Sequence, residues 1–238
     1  MSALKVRIKF RKYGIMKFIG HLDVMRYFQK VNRRAGVDIA YSEGFSPHQI
    51  MSFASPLGLG LTSDGEYVDM EVLSSESSAE MIRRFQSVMA DGFEIVSYKR
   101  LPDTAKNAMS IVAAADYLLI PKEERLTGFP DWRSSLQTFL EQETIPVLKK
   151  TKKSEKEVDI RPMIYESRLR EDGVFVRLAS GSAENLKPEL MLEAFFKDSG
   201  QEWDPFAFRV HRLELYAWDG EEVNRKLLSL DAVGEDIL

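Results

Sequence analysis

Seven consecutive residues, Lys5-Val6-Arg7-Ile8-Lys9-Phe10-Arg11, alternate cation and apolar side chain without a break. Few patterns limit a chain more, because an extended strand is what separates such residues cleanly onto two faces. Lys5, Arg7, Lys9 and Arg11 fall on one face, and Val6, Ile8 and Phe10 on the other. The next stretch, Gly20 to Gly36, has a different period. Leu22, Met25, Phe28, Val31 and Ala35 recur at three and four residues, the buried stripe of a helix closed by glycine, while Arg26, Lys30, Arg33 and Arg34 lie mostly opposite. From Lys5 to Arg34 there are ten Lys or Arg and one acidic residue, Asp23, roughly +9 locally. The whole chain carries a formal net charge of −4.

The absence of cysteine excludes disulfides, thiolate nucleophiles, cysteine zinc sites and ordinary thiolate ligation of an iron–sulfur cluster. His21, His48 and His211 are the only histidines, too few to supply a multi-histidine site well, so neither metal nor cofactor is expected. No stretch approaches the ~20 apolar residues of a membrane span. The basic N-terminus is not followed by an apolar run and a small-residue cleavage site, so the expected location is the cytoplasm.

The first hundred residues read as strand (Leu4 to Tyr13), helix (His21 to Ala35), short strand (Val37 to Tyr41), strand (Gly65 to Leu73), helix (Ala79 to Ala90, with cap residues from Ser74-Ser75-Glu76-Ser77-Ser78) and strand (Phe93 to Tyr98). Gln49 to Ala54 can extend the central hairpin. This is the order of the ferredoxin-like unit. Leu101 to Ala108 reads as a linker, after which the order recurs. A strand over Ala115 to Ile120 precedes a helix over Asp131 to Gln142. One strand then runs from Glu157 through Tyr165 to Leu169, turning at Asp172-Gly173 into Val174 to Leu178. A helix opened by Pro188 and a strand from Phe206 to Trp218 complete it. Lys149-Lys150-Thr151-Lys152-Lys153 falls in a polar connector. The expected fold is therefore α+β: two tandem ferredoxin-like βαββαβ units with antiparallel sheets, over 1–104 and 110–220. A tail, 221–238, is expected to be loose or a terminal helix.

Three readings of the basic face stand side by side, one of them a docking surface for an acidic protein partner. If the third strand pairs with the first, Asp69 and Glu71 share its face and neutralise it. Otherwise Lys9, Arg11, Lys12, Arg26, Lys30, Arg33 and Arg34 form a phosphate-binding surface with Tyr13, Tyr41 and Phe45 as stacking groups. His21, at a helix start where the charged ring is disfavoured, and His48, in Glu43-Gly44-Phe45-Ser46-Pro47-His48, are the candidate acid–base groups. A capping or core role for His21 and a structured turn for the loop are the alternatives.

Lys12-Tyr13-Gly14, Phe18-Ile19-Gly20-His21-Leu22-Asp23-Val24-Met25-Arg26, Arg33-Arg34-Ala35-Gly36, Tyr41 to His48, Gly65-Glu66-Tyr67 and Glu157 to Pro162 together resemble the bacterial radical SAM-linked proteins. The pattern departs from that family at Gly20, where serine is expected, and at Gln49, where proline is common. The resemblance implies a partner, a radical S-adenosylmethionine protein of the cobalamin-binding type, that carries the cluster this chain cannot. The tandem layout is also similar to that of the RNA-processing proteins of CRISPR systems. Three functions follow as expectations: an RNA-binding, substrate-presenting accessory subunit; a metal-independent endoribonuclease using His21 or His48; or a non-catalytic protein adaptor. Whether the chain is an enzyme is left open at this point.

Overall fold

The computed structural model describes residues 3–150, 155–182, 184–221 and 223–238. The chain divides into two compact units, residues 1–113 with 212–238 and residues 114–211. Across the described residues it is a mixed α/β protein with mostly antiparallel strand pairing and five α-helices.

The first unit begins with β1 (Leu4–Lys12), α1 (His21–Arg34), β2 (Met51–Phe53), β3 (Thr62–Val72), α2 (Ser78–Gln86), β4 (Phe93–Arg100) and α3 (Ala108–Ile111). The period-two reading of β1 is realised: Val6, Ile8 and Phe10 are essentially inaccessible and pack under α1 and α2. β1 is central, antiparallel to β3 on one side and β4 on the other. α1 buries Val24, Phe28 and Val31 in the same core, with the Phe10 and Phe28 rings 4.7 Å apart. Its end is a glycine C-cap: Gly36 takes φ +62°, and the Val37 amide donates to the Asn32 carbonyl at 3.0 Å. At the start of α2 the Ser77 hydroxyl accepts from the Glu80 amide at 3.3 Å, the expected serine cap.

Three expectations for this unit need correction. Val37 to Tyr41 forms isolated bridges rather than a strand, and Met51–Phe53 is the segment that pairs with β3. α2 stops at Gln86, because the following amides of Val88 and Met89 bond three residues back instead of four. The tail is neither loose nor an α-helix: β11 (Lys226–Ser229) pairs with β10 (Phe208–Asp219), and Leu230 is fully buried. The Ile237 carbonyl and amide close onto Ser78 at 2.9 and 2.8 Å.

The second unit contains β5 (Val112–Pro121), α4 (Trp132–Leu140), β6 (Pro146–Lys150), β7 (Glu155–Asp159), β8 (Ile164–Arg170), β9 (Gly173–Ala179) and α5 (Pro188–Asp198). Both β5 and β10 cross the unit boundary in sequence. β9 lies between β5 and β8, antiparallel to each, and Arg170↔Gly173 marks the expected hairpin turn. The single strand expected from Glu157 to Leu169 is instead two, because Pro162 lies in a 3-10 turn, Arg161–Met163. β7 pairs with β6, a strand missed in the sequence; Lys149 and Lys150 end β6, and 151–153 lie outside the described residues.

Candidate nucleic-acid interface

On β1 the cations are matched from within the first unit. The Arg7 guanidinium, 1% exposed, donates from Nε and Nη2 to the two Asp69 oxygens at 2.7 and 2.9 Å and from Nη1 to the Leu230 carbonyl at 3.1 Å. Lys9 Nζ lies 2.7 Å from Glu214. Arg11 pairs with Glu94 at 3.0 Å and Asp64 at 3.4 Å. Lys5 donates to the Asp103 carbonyl, and Lys12, 2% exposed, to that of Ile19, each at 3.0 Å. Of the two acids expected to neutralise this face, Asp69 does so against Arg7, while Asp64, Glu94 and Glu214 rather than Glu71 meet the other paired cations.

On α1 the balance differs. Arg26 lies 3.4 Å from Asp23, with both side chains well exposed, a pair of little energetic consequence. Lys30, Arg33 and Arg34 are exposed and form no ion pair among the described residues. At 1.5 Å per residue these four cations span about 12 Å of one helical surface.

The segment after α1 places the aromatic loop against that helix. Tyr41 and Gln49 form an antiparallel bridge, and the Ser42 amide donates to the His48 carbonyl at 2.9 Å. The Ser42 hydroxyl and His48 Nδ1 are 2.8 Å apart. Phe45 projects fully into solvent at the tip, and Tyr41 is half exposed. Gln49, buried, fastens the base of the loop: its Oε1 accepts from Asn32 at 2.9 Å, and its Nε2 donates to the Gln29 carbonyl at 3.2 Å. The departure from proline at this position thus supplies an amide that joins loop to helix.

His21 opens α1 half-buried, edge-on to Phe53 at 5.4 Å. It shares with Lys12 and Glu66 the wall of a cavity of about 10 Å³, room for one water at most. Burial lowers the His21 pKa from its ordinary value, assisted by the Lys12 charge. Burial also lowers that of Lys12 and raises that of Glu66. For Glu66 the Arg212 guanidinium opposes the rise, its Nη1 donating to the carboxylate at 2.9 and 3.1 Å. The loop holding His48 is tied to α1 eight or more residues beyond His21, about 12 Å along the axis.

Sequence reasoning missed Glu66–Arg212, Lys9–Glu214 and Asn32–Gln49. A signal existed for two of them: an acid inside an apolar strand run, and an asparagine beside a helix's buried stripe. The Gly65-Glu66-Tyr67 motif proves to be an attachment. A Cβ on Gly65 would lie 2.7 Å from the Leu213 carbonyl, and the Tyr67 hydroxyl donates to Glu214 at 2.5 Å.

The model of a family described as an uncharacterised protein conserved in bacteria, DUF2344, matches residues 5–188. The chain belongs to DUF2344. The match covers β1, α1 and the aromatic loop, whereas Arg212 and Glu214 lie beyond its end. A search of curated proteins finds no match for this DUF2344 chain. Among the described residues no helix is long and apolar enough to cross a membrane, and no group of three or more His, Cys, Asp or Glu is placed to hold a metal.

Proposed function

We propose that this DUF2344 protein is an RNA-binding accessory subunit that presents a single-stranded segment to a radical S-adenosylmethionine enzyme of the cobalamin-binding type in the bacterial cytoplasm. In this reading the chain binds and positions RNA and its partner does the chemistry. The observation that carries it is the juxtaposition of unpaired cations on α1 with a solvent-projecting Phe45 on a loop pinned to the same helix. Arg26, Lys30, Arg33 and Arg34 hold phosphates, while Tyr41, Phe45 and His48 contact an unstacked base. Lys9, Arg11 and Lys12, engaged internally, leave the footprint.

Two tandem ferredoxin-like units remain the proposed fold. Support comes from the first unit, where β4, β1 and β3 are adjacent in that order, β2 pairs with β3, and α1 and α2 are the crossovers. The endoribonuclease reading, with His21 or His48 as general acid or base, is less favoured for His21, whose cavity of about 10 Å³ has no room for a phosphodiester.

The footprint sets the salt response. Four phosphate contacts to a single strand give a slope of log K against log salt of about −3, whereas the seven cations expected from sequence give about −5. Filter binding of single-stranded RNA across a salt series measures it. No affinity, or affinity indifferent to salt, overturns the proposal.

A further inference from the structure

A second surface of the first unit carries apolar rather than aromatic–cationic character. Ile15, Phe18, Leu22 and Leu59 are 76, 64, 66 and 66% exposed, though they belong to three different segments. Those segments are joined: the Gly60 amide donates to the Lys17 carbonyl at 2.8 Å, and Leu59 Cδ1 lies 3.7 Å from where a Gly20 Cβ would sit. Lys17 covers the Phe18 ring at 5.0 Å, and Arg26 stands one helical turn beyond Leu22. Exposed apolar side chains gathered in this way, rimmed by charge, mark an interaction surface.

We infer that this lip docks an acidic amphipathic segment of another protein, apolar anchors entering between Phe18, Leu22 and Leu59 and carboxylates meeting Lys17 and Arg26. The chemistry selects that occupant. A second copy would bring a rim of the same net sign, Lys17 and Arg26 against the single acid Asp23, since a twofold contact pairs like patches. Nucleic acid needs ring faces, and three of the four apolar side chains are aliphatic. An amphipathic helix offers anchors at three- and four-residue spacing and acids between them. This surface meets the RNA footprint only at Arg26, and Leu22 and Leu59 lie outside that footprint, so the two readings stand or fall separately on those residues.

The test uses the full chain and a fluorescein-labelled helical peptide of about five turns, leucine on one face and glutamate elsewhere, alongside its lysine counterpart. Anisotropy is expected to show the glutamate peptide binding at least tenfold tighter than the lysine one. Leu22→Asp and, on a separate segment, Leu59→Ser should each weaken it at least tenfold, with unchanged thermal melts and with oligouridylate RNA binding held within twofold. Equal binding of the two peptides, no binding, or insensitivity to both substitutions overturns the proposal. It is equally overturned if Leu22→Asp abolishes RNA binding instead, or dissolves a dimer seen by sedimentation.

Discussion

The Arg212 guanidinium lies 2.9 Å from the Glu66 carboxylate with the two side chains 5 and 6% exposed, although 146 residues separate them in sequence. Neither charge can relax into water if the other is removed. Arg212→Met is expected to cost about 3–5 kcal/mol in urea unfolding, because it strands a buried carboxylate. Adding Glu66→Leu to Arg212→Met should recover most of that loss, since burying a well-packed apolar pair removes the desolvation penalty. Equal stability of the single and double variants would contradict it.

His21 gives the first unit an acid sensitivity of definite sign. Its folded pKa is lowered by burial below the ordinary 6.5, so between the two values the unfolded chain binds more protons. Stability is therefore complete above about pH 6.5 and falls as pH drops through that window toward the folded value. Glu66, raised by burial, acts in the opposite sense above the ordinary carboxylate pKa. Comparing wild type with His21→Gln isolates the histidine: denaturation midpoints should converge as pH falls below 6.5, the wild type losing more.

Gly65→Ala is expected to destabilise the first unit by about 1–3 kcal/mol, as overpacking does. Its new methyl would meet the Leu213 carbonyl at 2.7 Å and Glu214 Cα at 2.8 Å, backbone that must shift. Thermal unfolding with Gly58→Ala as a control, where the nearest atoms are Leu61 side-chain carbons at 3.5 Å or more, separates the close approach from a general glycine effect.

Charge reversal distinguishes the helix from the strand. Lys30→Glu combined with Arg33→Glu should lower RNA affinity at least tenfold and flatten its salt slope by about 1.4, two contacts' worth. Lys9→Ala should leave RNA affinity within twofold and instead weaken unfolding stability, since it leaves Glu214 Oε2 without its cation. The reverse pattern would return the RNA to the sheet.

Gln49→Leu removes the amide that joins loop to helix. Hydrogen exchange over Ser42 to His48 should quicken while the β1–β3 ladder stays protected. An unchanged loop would mean that its own Ser42–His48 bonds suffice.

Much of the local architecture was legible in the residues. The alternation of β1, the stripe of α1, the Ser77 cap and the Asp172-Gly173 turn all act within one element, where spacing alone decides which side chains share a face. Legibility ended where short, irregular pairing began. Met51–Phe53 pairs with Met70 to Val68 while Ile39 only bridges Val72, so the two segments take successive stretches of β3, and register rather than composition decides which one makes a strand. Pro162 was visible, but the strand break it makes only matters once β7 has β6 to pair with.

By itself the sequence determined that Lys5, Arg7, Lys9 and Arg11 would share one side of a strand, and that α1 would turn its arginines outward. Tertiary structure alone decided which of those cations stay available. Asp69, Glu94 and Glu214, which neutralise the strand, come from 62, 83 and 205 residues away, whereas no carboxylate is brought to Lys30, Arg33 or Arg34 among the described residues. The reason is Coulombic: attraction depends on separation through space and on burial, and chain distance carries no information about either.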